Sequence, residues 1–259
     1  MSNSIVYSLV IAVFVYITTG NAYAASTTEQ NYTADLLRQL PSDEILELSA
    51  SQQIFISLQR ERMTSYTKGT IIFLPDASEH AASPKHIDML RQQLTYYGWY
   101  TLALMPPALP LTLEQDTLTD YQQIIAERMS AAQQQAQQHS GATIVIAQGS
   151  SAAILNQLFA TARLTEPAAF IMLGAFLPDQ KLNHDMAKAL ATHHVPTLDI
   201  SHEQDNSWVT SQLPLRRQLA NKHMKAVYRQ RLINGSGYND TSQQWVLQEI
   251  YGWLSSVGL

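Results

Sequence analysis

Apolar residues in this chain arrive in short unbroken runs, separated by longer stretches in which they recur every three or four positions. The run Thr70-Ile71-Ile72-Phe73-Leu74 stops at Pro75, and a continuous run of that length predicts a strand covered on both faces. Pro84 then opens a stretch with Ile87, Leu90, Leu94 and Tyr97 on one helical face, closed by Gly98. A strand over Tyr100–Met105 ends at Pro106-Pro107, and a helix over 114–138 follows, with Leu118, Tyr121, Ile125 and Met129 on one side.

The alternation continues with strands over Thr143–Ala147, Ala169–Leu173, Thr197–Ser201 and Lys225–Ile233. Helices are predicted between and after them, over Ser151–Arg163, His184–Ala191, Trp208–Asn221 and Ser242–Leu254. Another strand is predicted over Gln53–Leu58, and a short helix over Thr33–Leu40. Strands alternating with helices of this length imply βαβ units with right-handed crossovers. The expected fold is therefore α/β, a three-layer sandwich with a mostly parallel central sheet. No repeat or long linker divides it, so residues 52–259 read as one domain and the polar residues 25–51 as a lead-in.

The N-terminus has a different pattern. An apolar run from Ile5 to Thr18 is followed by Gly20 and by Ala22-Tyr23-Ala24, small residues at the spacing signal peptidase requires. Residues 1–24 are expected to be a signal peptide and the mature protein periplasmic or secreted, although Met1 to Ile5 carries no Lys or Arg. The alternative is a retained anchor, for which a run of this length is short of the ~20 residues a spanning helix needs. No later segment is long and apolar enough to span, so no stable membrane span is expected once the segment is cleaved.

Composition narrows the function. With 21 acidic and 16 basic residues and a net charge of -5, the chain lacks the clustered Lys and Arg that nucleic-acid binding uses to displace counterions. There is no cysteine, which excludes disulfides, thiolate ligands and cysteine nucleophiles. No metal, nucleotide or dinucleotide motif occurs, so no metal or other cofactor is expected. The expected partner is a small molecule or an envelope component.

In a parallel α/β sheet, chemistry lies beyond the carboxyl ends of the strands. There the segment Thr143-Ile144-Val145-Ile146-Ala147-Gln148-Gly149-Ser150-Ser151-Ala152-Ala153 runs from a strand into a helix through small residues, the form of a nucleophile elbow. With Leu74-Pro75-Asp76-Ala77-Ser78-Glu79-His80 and Gly98-Trp99, it gives most of the mature chain a resemblance to the α/β-hydrolase superfamily. More narrowly, it resembles an exported bacterial branch of unknown function.

The resemblance implies a nucleophile, an acid, a histidine and two oxyanion amides. The elbow can be laid in two registers. Centred on Gly149 it offers no nucleophile; centred on Ser151 it does, at the cost of a longer strand, while Ser150 would set Gln148 where a small side chain is needed. The acid falls on Asp205, with Glu203 as alternative and Asp199 within the strand; Asp205 also reads as a residue of a helix N-cap region. The oxyanion amides fall at Ala77 or Ser78 and at the residue after the elbow, Ser150. Where the family places its histidine, the loop Asn234-Gly235-Ser236-Gly237-Tyr238-Asn239-Asp240 has Tyr238, a poor base at neutral pH. His80 and His202 are the histidines that could reach the same rim.

Two functions follow. One is a hydrolase-like protein with a degraded triad, Gly149 and Tyr238 standing at two of its positions, with weak or no activity. The other is an esterase-like serine hydrolase using Ser151 with a relocated histidine. In the first, Gly149, Asp205 and Tyr238 converge on one rim, and no histidine reaches Ser150 or Ser151.

Overall fold

The computed structural model describes residues 26–259 except 52 and 111, so the expected signal segment 1–24 lies outside the described residues. The strands are β1 (Ile45–Ala50), β2 (Gln53–Arg60), β3 (Gly69–Leu74), β4 (Trp99–Leu104), β5 (Ala142–Gln148), β6 (Ala169–Leu173), β7 (Thr197–His202) and β8 (Tyr228–Ile233). The helices are α1 (Thr27–Gln39), α2 (Ile87–Gln93), α3 (Gln115–Ala136), α4 (Gly149–Ala160), α5 (Gln180–Leu190), α6 (Ser207–Thr210), α7 (Leu213–Lys222) and α8 (Asp240–Ser256).

All eight strands form one sheet in the order β1-β2-β4-β3-β5-β6-β7-β8. The expectation of a mostly parallel sheet gives way to a mixed one: β2 is antiparallel to both β1 and β4, whereas β4, β3, β5, β6, β7 and β8 pair in parallel. The cause is local. Only residues 51 and 52 separate β1 from β2, a link too short for anything but a hairpin. The polar lead-in 25–51 thus carries both α1 and a strand of the sheet.

Every residue of β3 is buried, as the unbroken apolar run requires. Ile72 and Leu74 pack in one cluster with Val145, Phe170 and apolar residues of α3, α4 and α5; Ile71 and Phe73 pack in another with Ile144, Ile171 and residues of α2 and α8. Alternation along one strand thus feeds two cores, and the sheet lies between two helical layers.

Buried charges hold the outer pieces to this frame. Arg128 of α3 pairs with Glu29 of α1 at 2.7 Å, both almost wholly buried, donates to the Met105 carbonyl at 2.8 Å, and lies 4.8 Å over the Phe55 ring. Arg216 of α7 pairs at 3.2 Å with Asp199 of β7, both fully buried. Asp199 also accepts from the Tyr228 hydroxyl at 2.9 Å. Asp199 is therefore a structural residue within its strand.

Removing one partner of such a pair strands a buried charge, whereas replacing both need not destabilise. Asp199→Ala is expected to cost about 3–5 kcal/mol, and Asp199→Leu with Arg216→Met to recover most of it. Urea unfolding midpoints of the three proteins check this; equal losses in single and double variants would contradict it.

Candidate functional site

The strand order reverses beside β3: the chain passes from β3 outward to β4, then returns to β5 on the other side of β3. A crevice opens where successive connections leave in opposite directions. The residues following β3, β5, β6 and β7 meet there, and Asp76, Gly149, Gly174 and Asp205 line one cavity of about 210 Å³.

Gly149 is the first residue of α4 and has φ +57, left-handed backbone that glycine adopts without strain. A Cβ built there would lie 2.1 Å from Asp76 Oδ1 and 2.6 Å from its Cγ. The space that any side chain at 149 would need is thus filled by the Asp76 carboxylate. Its Oδ1 accepts from the Ser150 N–H and hydroxyl, both at 2.7 Å; its Oδ2 accepts from the Ser78 N–H at 3.2 Å and from the Ser78 hydroxyl. The two amides expected to serve an oxyanion already serve this carboxylate, helped by the N-terminal end of α4. The Ala77 side chain packs into the core.

Asp205 is turned into the cavity, and the capping of α6 is done by its neighbour Asn206, whose side chain accepts from the Val209 N–H. Asp205 Oδ1 meets Lys85 Nζ at 3.2 Å, and Oδ2 accepts from the His202 N–H at 2.8 Å. Lys85 enters from the segment before α2, and its ammonium lies 5.8 Å from the exposed Tyr238 ring. Tyr238 itself is not among the cavity's lining residues; Gly237 makes the close approach. A Cβ on Gly237 would lie 2.5 Å from His86 Nε2 and 2.8 Å from Lys85 Cε. Gln243 of α8 fixes this contact by donating to the carbonyls of both Pro84 and Gly237.

His202 is buried at the end of β7 and bonds through Nε2 to Nε2 of His86 at 3.0 Å. Burial lowers the pKa of both, and for His86, with the nearby His202 and Lys85 adding to it, to about 3. The pair is therefore neutral at pH 7, one ring donating and the other accepting. His80 faces elsewhere: its Nδ1 accepts from the Ala82 N–H at 3.2 Å and its ring lies against Tyr32. Ser151 is fully buried and its Oγ has no partner; Ser150 is engaged by Asp76. Among the described residues neither serine is bonded to a histidine. Glu203 is exposed.

Sequence reasoning singled out Gly149, Ser150, Ser78 and Asp205, which the fold brings to one place. It missed Asp76, Glu79, Lys85, Gln148 and His86 as parts of that place. Asp76 directly follows Pro75 at a strand's carboxyl end, a position the rule for parallel sheets marks; nothing in the pattern marks Lys85. Burial and the neighbouring Asp76 push Glu79 up to about 7, against the opposing Lys85 charge and the Gln148 hydrogen bond. A larger groove of about 720 Å³ runs along the outer strand between β8 and α8. Both members of the Arg231–Glu249 ion pair, 3.0 Å apart, line it, and it adjoins the crevice at Gln204.

A sheet reversing at β3, with a sharp strand-to-helix turn after β5, is the α/β-hydrolase fold. Solved structures agree. Est1E from Butyrivibrio proteoclasticus superposes with a TM-score of 0.62 at 11% identity, covering 83% of this chain and 98% of that one. The esterase domain of a Rhodothermus marinus protein gives 0.60 at 12%, covering 83% and 98%. A dienelactone hydrolase from Anabaena variabilis gives 0.57 at 13%, covering 82% and 96%. No curated protein matches the chain. The family model described as "Protein of unknown function (DUF3530)" matches residues 16–119 and 112–256, and the chain belongs to that family.

Two outcomes are expected. Gly149→Ala combines left-handed strain with overpacking and should cost at least ~2 kcal/mol. In an Asp76→Gly background the same change should cost less, a non-additivity that urea midpoints of the four proteins measure.

The second outcome concerns acid. His86 holds its folded pKa near 3 against an ordinary 6.5, so between those values the unfolded chain binds a proton that the native one does not. The His86 contribution is complete above pH 6.5 and lost as pH falls toward 3. His86→Asn, which suits the positive φ of +73 at this position, should flatten the fall in stability over that window, by up to ~1.4 kcal/mol per pH unit. An unchanged slope would contradict the assignment.

Proposed function

We propose that the protein is an exported, non-hydrolytic member of the α/β-hydrolase fold whose crevice binds a small polar molecule without turning it over. One observation carries this reading: a carboxylate oxygen of Asp76 stands 2.1 Å from where a nucleophile's Cβ would have to be. Acyl transfer at an elbow needs an attacking side chain, an adjacent base and free amides for the developing oxyanion. Here the elbow residue is glycine, the amides of Ser78 and Ser150 hold Asp76, and Asp205 faces a lysine.

Ser151 is a weak substitute, because its hydroxyl is sealed in α4 without a base. Fold alone does not supply activity, and the esterases and the dienelactone hydrolase above lend the chain their architecture. Export is supported by the apolar run Ile5–Thr18 ahead of Ala22-Tyr23-Ala24. Among the described residues no helix is long and apolar enough to cross a membrane.

A panel of short acyl esters, assayed with wild type, Ser150→Ala and Ser151→Ala, should give equal rates at the buffer background in all three. Turnover that disappears in Ser151→Ala would establish the serine-hydrolase alternative instead. Mass spectrometry of the purified protein's N-terminus should begin at Ala25; an intact Met1–Ala24 segment on membrane-extracted protein would show an anchor.

A further inference from the structure

Two buried acceptors beside the crevice have no donor. Gln148 is 3% exposed; its Nε2 donates to Glu79 Oε1 at 3.2 Å, and its Oε1 has no partner. Glu79 Oε2 is likewise buried and unpartnered. Both side chains line the cavity. A buried acceptor left without a donor is destabilising, so keeping two of them side by side at a cavity wall points to a donor that enters from the cavity.

The charges there select the donor's sign. Asp76, Glu79 and Asp205 line the cavity, with Lys85 as its one cationic lining residue among the described residues. Lys85 is engaged by Asp205, and each Asp76 oxygen already accepts two bonds from a serine. What remains without a donor is Glu79 Oε2 and Gln148 Oε1, both buried in the wall of a negatively charged cavity.

We propose that this crevice holds the protonated amino group of a small organic amine, its N–H groups donating to Glu79 Oε2 and Gln148 Oε1 once the two side chains turn these buried oxygens toward the cavity. The inference rests on the binding, non-hydrolytic reading of the crevice. An ammonium head offers three donors and no acceptor, which suits two oxygens that lack a donor. A hard metal ion asks for six or more oxygen ligands, and among the described residues no group of three His, Asp or Glu is arranged to hold one. A carboxylate would add acceptors where donors are missing. The cavity of about 210 Å³ lies below the ~300 Å³ at which drug-sized sites begin, so the amine has few heavy atoms.

Glu79, pushed up to about 7, links binding to pH. An ammonium ion favours the ionised carboxylate, so binding strengthens as pH rises through 7 and weakens below it as Glu79 takes up its proton. Of the charged groups near Glu79, Asp76 adds negative charge and Lys85 positive; Asp205 also lines the cavity but is paired with Lys85, and His80 is turned toward Ala82 and Tyr32.

The test is isothermal titration of the mature protein with methylamine, ethylamine and ethanolamine hydrochlorides. Acetate, ethanol and potassium chloride serve as comparisons at equal ionic strength. Saturable heats are expected for the amines alone, with affinity about tenfold weaker at pH 6 than at pH 8, the ratio a single group titrating near 7 dictates. Glu79→Gln should abolish the amine response and Gln148→Met should weaken it. If either variant fails to fold, the wild-type pH dependence and the amine-over-potassium preference still decide. No saturable amine heat at millimolar concentration would overturn the inference, as would an equal response to potassium, binding of acetate, or an unchanged response in Glu79→Gln. Ester turnover dependent on Ser151 would overturn the parent reading whatever the amines do. Absence of both turnover and amine binding would remove only this inference.

Discussion

The approach of the Asp76 carboxylate to Gly149 sets the character of the whole crevice. Two elements from opposite sides of the sheet's reversal, the turn after β3 and the turn after β5, come so close that only a hydrogen fits between the backbone of one and the side chain of the other. The carboxylate gains four donors by being there. Charge-assisted bonds of this kind, made at the start of a helix, are among the stronger polar contacts a protein can form. The elbow is thereby held in its sharp, positive-φ shape without any side chain of its own.

The rest of the rim is built by similar substitutions of one element for another. The loop after β8 brings backbone, at Gly237, and the segment before α2 brings Lys85 and His86 into the space opposite. Lys85 reaches the carboxylate of Asp205, while His86 reaches His202 behind it. Gln243 then holds both segments by their carbonyls. The rim is therefore crosslinked by side chains from α8 and from the α2 approach, while Glu79, Gln148 and the Nδ1 atoms of His86 and His202 stay incompletely satisfied.

Much of the frame was legible because buried strands and amphipathic helices write different periods into a sequence. The run 70–74 and the strand 169–173 are found as read, and α3 and α8 differ from their readings by a residue or two at either end. Two departures have plain causes. Ile45–Ala50 is a half-exposed edge strand with Glu47 and Ser49 on its open face, so its apolar signal is too thin to stand out from a polar lead-in. The helix read over 208–221 is two, α6 and α7, since Pro214 at the first turn of α7 has no N–H to continue a ladder from α6. In the site, Gly149 and Asp205 were legible because each follows a strand at a fixed offset. Lys85, His86 and Asp76 join them through contacts across 74 to 120 residues of sequence, which no local pattern encodes.

The packing at 149 also constrains how such a chain can change over generations. An alanine or serine at 149 would crowd the aspartate at 76, so the order in which the two positions change matters. Shortening Asp76 first relieves the crowding, but that intermediate leaves the Ser78 and Ser150 amides without their acceptor. Either single change passes through a less stable intermediate, so residues 76 and 149 behave as one unit that is easier to alter together than one at a time.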